Sequence, residues 1–243
     1  MSLGMNDRRI MKHDNEAINF NDVFEKLGRA TPNDEFLSTG QVESAIDDLQ
    51  KALLFLEHDL SNYKWKWLSI ALTRALYLLS LNIIRHGHPF ASTPHREREP
   101  LLKQLEAGEI NEGEFSDAIH IAQYKRTISY PDCLKWLAES LYERKAPHLK
   151  QITRVTDEEL TAATSLREYY RDEFEHMKMD GNTFQVSHLP NKCLLVVRVI
   201  RKVCDSGWFF YSVSQELANE GIRTLLDSLD TKLEQEKQSF LNE

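Results

Sequence analysis

Between Leu68 and Ile84 the chain is almost uniformly apolar, with Arg74 its one charge and Thr73 and Asn82 its main polar breaks. A helix built from such a stretch is apolar most of the way round, so it needs neighbours on several sides and belongs at the centre of a fold. It is a little short for a membrane span and carries a charge in its first half, so no membrane partner is expected. The reading is a buried helix over about 63–85. Just before it, Val42, Ile46, Leu49, Leu53 and Leu56 recur at three- and four-residue steps, the stripe of an amphipathic helix over about 40–61.

Composition narrows the class. With 9 Gly and 7 Pro in 243 residues, the chain lacks the special turns that sandwiches, barrels and Gly-rich nucleotide folds require. An all-α fold is expected. Hydrophobic residues at 41% beside 28% charged residues fit a soluble globular chain of one or two domains. The 30 Lys and Arg against 38 Asp and Glu leave a net charge of -8, which excludes a basic nucleic-acid coat. Cys133, Cys193 and Cys204 are too few and too scattered for a disulfide framework or a four-ligand zinc site, and a cytoplasmic home is the simplest reading. Met1–Gly4 reads as an expression scar ahead of Met5, leaving 5–243 as a single domain.

Along the chain, a helix is expected from about 15 to 27, ended by Thr31-Pro32-Asn33-Asp34. After His86-Gly87-His88-Pro89, shorter charged helices are expected over about 98–107, 113–125 and 131–143, an insert or cap spanning 96–147. Thr156-Asp157-Glu158-Glu159 is a capping-box start for a helix to about 177. Leu194, Val197, Ile200 and Val203 mark another over about 190–213. The segment 216–243, with seven acidic and three basic residues around Ile222, Leu225, Leu229 and Leu233, reads as a solvated amphipathic helix or a partner-binding one. Two helical hairpins joined by the insert make an up-and-down bundle of four to five long helices.

The run Arg171-Asp172-Glu173-Phe174-Glu175-His176 carries the sharpest chemistry. It pairs an always-charged guanidinium that can grip a phosphate with an imidazole that exchanges protons near neutrality. On an ideal α-helix Asp172 and His176 share a face, whereas Arg171 and His176 stand about 140° apart unless the helix ends or bends. The alternative is a solvated face, with Arg171 paired to Glu168 or Glu175. His86, His88 and His95 lack a completing carboxylate or thiolate, so neither a metal nor another cofactor is expected. Between residues 61 and 96 stand five basic residues and no acid; Lys64, Lys66 and Arg74 are candidate substrate-binding groups, or else Lys64 and Lys66 merely lay their stems along a Trp65/Trp67 core.

The 171–176 run resembles the HEPN signature (higher eukaryotes and prokaryotes nucleotide-binding), and Tyr63-Lys-Trp65-Lys-Trp67 through Leu76 is similar to the Trp-Lys-Trp helix of a bacterial HEPN-like subfamily. Phe184-Gln-Val-Ser-His188-Leu-Pro190 resembles the extended segment that follows the signature there. Met177 departs from the aromatic residue common at that position. The resemblance implies a helical bundle, a homodimer with two Arg–His motifs facing one cleft, and a metal-independent endoribonuclease of toxin, defence or RNA-processing type. It also implies His176 as the acid or base on the RNA 2′-hydroxyl, Arg171 on the scissile phosphate and Asp172 orienting them. Asp172, Glu173 and Glu175 oppose a phosphate backbone, so a non-catalytic module binding a nucleotide, RNA or a protein such as an antitoxin stands beside the enzyme as the second reading.

Overall fold

The structure is a computed structural model that describes residues 9–11, 17–19, 40–58, 61, 63–87, 92–125, 127–138, 155–171, 186–205 and 213–242. The helices are α1 (Gln41–His58), α2 (Lys64–Gly87), α3 (His95–Glu106), α4 (Glu112–Lys125), α5 (Tyr130–Ala138), α6 (Asp157–Ser165), a π-helical turn (Leu166–Arg171), α7 (Leu189–Asp205) and α8 (Val213–Asn242). The other regular structure among the described residues is a short antiparallel ribbon, β1 (Arg9–Met11) with β2 (Ala17–Asn19), Ile10 opposite Ile18. The fold is all-α as expected, with one correction. Residues 17–19 are a strand where a helix over 15–27 was expected, because so short an apolar run has no period long enough to decide between the two.

Four helices close a ring. α1 packs on α2, α2 on α7, α7 on α8, and α8 returns to α1. The apolar run of α2 turns Leu68, Leu72, Ala75, Leu76, Leu79 and Ile83 into the shared core, none of them exposed. By length and composition Lys64–Ile84 could cross a membrane, yet 67% of that window is buried within the protein. Trp65 is fully buried at the end of the ring, 6.2 Å from Phe240 of α8.

The membership of the ring corrects a second expectation. The acidic C-terminal segment is a wall of the bundle, with Ile222, Leu225, Leu226, Leu229 and Leu233 at most 1% exposed. Its apolar stripe is used by the chain's own core. Two of its acids are tied to neighbouring helices: Asp227 accepts Arg201 of α7 at 2.8 Å, and Glu236 accepts Lys64 of α2 at 2.6 Å. The place expected for a long helix over 157–177 is taken by the nine residues of α6 and the π turn, which pack on the flank of α2 and α7; residues 172–177 lie outside the described residues.

Within 96–147, α3 and α4 pack chiefly on each other. Gly108, at φ 72°, ends the turn after α3, a conformation that favours a residue without Cβ. Asn111 and Glu114 then start α4 reciprocally: the Glu114 N–H donates to the Asn111 side chain at 3.0 Å and the Asn111 N–H donates to Glu114 at 2.9 Å. The base of this lobe is closed by the Ile128 N–H donating to the Ser92 carbonyl at 2.9 Å. α5 then packs back on α2 and α6, and residues 139–150 lie outside the described residues.

The expected capping box forms. The Glu159 N–H donates to the Thr156 hydroxyl at 3.2 Å, and the Thr156 N–H donates to Glu159 Oε2 at 2.7 Å. The same oxygen accepts Lys202 Nζ of α7 at 2.7 Å, so this carboxylate both starts α6 and fastens it to the ring. Burial pushes the Glu159 carboxyl up, but hydrogen bonds from Lys202 and the Thr156 N–H outweigh burial and hold it below its ordinary value of 4.5. A carboxyl held down in the folded chain adds stability above its unfolded pKa and loses it as pH falls through the folded one. Glu159→Ala, which removes the Lys202 hydrogen bond and half of the cap, is expected to cost about 2 kcal/mol in urea unfolding at neutral pH. The loss should shrink as the wild type is acidified through the lowered pKa of Glu159.

Candidate functional site

The sequence-predicted catalytic residues meet the structure at one point. Arg171 is the last residue of the π turn, whereas Asp172 and His176 lie outside the described residues. In a π turn each N–H reaches back five residues instead of four, so one extra residue is accommodated per turn. The ideal α-helical count that relates Arg171 to His176 therefore ends at Ser165. Of the extended segment after the signature, Val186, Ser187 and His188 are described; they lead into α7, with Ser187 and His188 exposed and Leu189 and Pro190 buried.

The π turn packs on α2 and α6, and a polar cluster fills the angle between π turn, α2 and α5. Tyr77 of α2 donates to the Ile128 carbonyl at 2.6 Å and shares a 2.9 Å hydrogen bond with Thr127. Tyr130 of α5 lies 6.2 Å from Tyr77, ring to ring, and donates to the Ala163 carbonyl of α6 at 3.2 Å. The Arg167 guanidinium lies 5.1 Å from the Tyr130 ring centroid, a cation–π distance. Burial raises the Tyr77 phenol above its ordinary value, the Thr127 hydrogen bond lowers it, and the neighbouring Cys133 raises it further. Burial also pushes up the thiols of Cys133 and Cys193, and that of Cys204 to about 12, so all three act as small core groups and not as nucleophiles.

The three candidate substrate-binding cations have separate fates. Lys64 is drawn into the ring by Glu236, its side chain 12% exposed. Lys66 lies 4.9 Å from the ring centroid of Trp67. Arg74, with an exposed side chain, stands 3.5 Å from Asp48 of α1. The Trp pair divides in the same way. Trp65 is core, whereas Trp67 is 45% exposed and stacks 6.2 Å from Phe55 of α1. His95 sits 3.3 Å from Glu99, and among the described residues no three His, Cys, Asp or Glu side chains converge as a metal site would need.

Sequence reasoning missed Arg167, Tyr77, Tyr130 and Asp48. Arg167 lies one helical turn before Arg171 and Tyr77 three residues after Arg74, spacings that signal shared faces but say nothing of what packs there. Asp48 gave less warning, because it stands between Ile46 and Leu49 on the face a solvated helix would bury anyway. Comparison with protein-family models, curated proteins and solved structures finds no match to this chain.

Asp48 is 2% exposed, and its carboxyl is pushed up to about 6 by burial, partly offset by Arg74 and Lys51 and reinforced by Asp47. A carboxyl held up in this way is worth most to the fold when protonated. Its contribution is complete below the ordinary 3.8 and is lost as pH rises through about 6. Asp48→Asn keeps the shape without the charge, so its stability relative to wild type should rise by about 2 kcal/mol between roughly pH 4 and pH 8 in urea unfolding. A difference that stays constant across that range would show that Asp48 does not titrate there.

Proposed function

We propose that the chain is a HEPN-like, metal-independent endoribonuclease in which Arg171 and His176 act on the sugar–phosphate of RNA. The observation that carries the reading is the π turn. Helices rarely widen to an i→i+5 pattern, and single π turns are frequent at functional sites. Here the widened stretch, Leu166–Arg171, ends on the first residue of the signature and packs on the helix that holds the Trp-Lys-Trp run.

In this reading His176 takes the 2′-hydroxyl proton, the 2′-oxygen attacks phosphorus, and the P–O5′ bond breaks as the 5′-oxygen takes a proton from water. Arg171 holds the phosphate and offsets the charge that grows on its oxygens, and Asp172 orients the pair. The nucleophile is internal, so the products carry a 2′,3′-cyclic phosphate and a 5′-hydroxyl. A homodimer would bring two such motifs to one cleft. The acids at 172, 173 and 175 favour the second reading, a bundle that binds RNA, a nucleotide or a protein partner without turnover.

Purified protein incubated with single-stranded RNA in EDTA is expected to cleave it. His176→Ala should lower the rate by about 10²–10⁴-fold. Arg171→Ala should also suppress cleavage, since the guanidinium is the phosphate contact. RNA left intact by the wild type at high protein concentration would remove the nuclease reading and leave the binding module.

A further inference from the structure

The outer face of α2 is open along its first half and covered along its second. At 100° per residue, Trp67, Ile70, Arg74 and Tyr77 fall within an arc of about 80° that points away from the buried side of the helix. Tyr63 extends the same line just before the first turn. Tyr63 is 74% exposed, Trp67 45%, and the Arg74 side chain 55%. Further along, Leu81 and Ile84 pack against Ile128 and Cys133, so the face runs under α5 beside the π turn at Tyr77. Of the large hydrophobic side chains that stand exposed among the described residues, Tyr63 and Trp67 are the two aromatic ones.

The chemistry of this face is specific. Flat aromatic rings alternate with cations: Lys66 lies over Trp67, and Arg74 follows two turns later. α2 contains no acidic residue, although the chain as a whole carries -8. The acids beside it come from α1 and from α8, whose Glu236 holds Lys64. Asp47 is bridged by Lys51 at 2.6 Å, Asp48 is buried beneath Arg74, and Glu57 stands at the far end near His58. A protein partner's apolar ridge would leave the cations unused, and a duplex would offer its bases to no ring. Unstacked bases and a phosphate backbone use both.

We infer that the exposed face of α2, from Tyr63 and Trp67 through Lys66 to Arg74, is a track on which single-stranded RNA lies, its bases stacked on the rings and its phosphates on the cations. The inference deepens the function proposed above and rests on it for the class of substrate. The track delivers the strand to the π turn that ends on Arg171. From Trp67 to Arg74 it spans about 10 Å at 1.5 Å per residue. That length accommodates on the order of three phosphates at stacked spacing.

The test uses the full chain carrying His176→Ala, so that binding is read without cleavage. A fluorescein-labelled oligouridine is titrated in EDTA and followed by anisotropy. Adding Trp67→Ala is expected to weaken binding about tenfold, the loss of one base–aromatic stack. Tyr63→Ala, at a residue too exposed to disturb the fold, should weaken it in the same direction. Lys66→Glu should weaken it and flatten its salt dependence. Ile121→Ala, exposed on α4 and off the track, should leave it unchanged. Unaltered binding in both aromatic variants overturns the track, even if the wild type cleaves RNA. No binding by the parent chain overturns it as well. A dimer in the parent chain that falls apart on Trp67→Ala, without change in RNA affinity, would show a self-interface instead. Loss of binding in the aromatic variants from a chain that never cleaves sustains the track and removes the nuclease.

Discussion

Burial of the inner side of α2 is the interaction on which the rest of the structure depends. Leu68, Leu72, Leu76, Leu79 and Ile83 are wholly out of water, each worth about 2 kcal/mol relative to exposure. No single neighbour can cover the buried side of the helix, since with Ala71 and Thr73, which are also buried, it spreads over more than half of the circumference. α1 covers one flank, α7 another, and α8 closes the space between those two. The polar contacts follow from this arrangement. Lys64 to Glu236, Arg201 to Asp227 and Lys202 to Glu159 are fasteners between helices that the core has already brought together.

The same helix carries two surfaces of opposite chemistry. Residues two apart on an α-helix point about 200° away from each other. Trp65 is therefore sealed in the core against Phe240, while Trp67, with the same side chain, meets water and Phe55. Lys64 and Lys66 divide likewise, one held by Glu236 and the other resting on an indole. A Trp-Lys-Trp run read without its helix looks like a single motif. Folded, it is half structural and half presented.

Much of the fold was legible in the residues. The apolar run of α2, the stripe of α1, the capping box at Thr156 and Glu159, and the bounds of α4 all follow from local rules that tertiary structure had no reason to override. The errors have different causes, and that over 15–27 came from a run too short to show a period. The segment 216–243 reads as an amphipathic helix, solvated or partner-binding, and what its residues do not show is that Ile222, Leu225, Leu229 and Leu233 find the chain's own core. Composition measures the outer face, whereas packing is decided by the inner one. The candidate site was legible as chemistry and not as geometry. An Arg and a His can be named from their order, but the π turn before Arg171 changes the angular step between residues, and nothing in Leu-Arg-Glu-Tyr-Tyr-Arg announces it. The pairing of Tyr77, Tyr130 and Arg167 joins three elements far apart in the chain, so no spacing rule could have supplied it.

The lobe of α3 and α4 leaves the ring and returns to it through Ser92 and Ile128, which are joined by one backbone hydrogen bond. Its two helices lean on each other more than on anything else. For the ring, the whole excursion amounts to a loop whose ends already touch. The entropy of closing such a loop grows only with the logarithm of its length, about 0.6 kcal/mol for each doubling. This is the place where the protein can lengthen, shorten or exchange sequence over generations while the register of the long helices stays as it is.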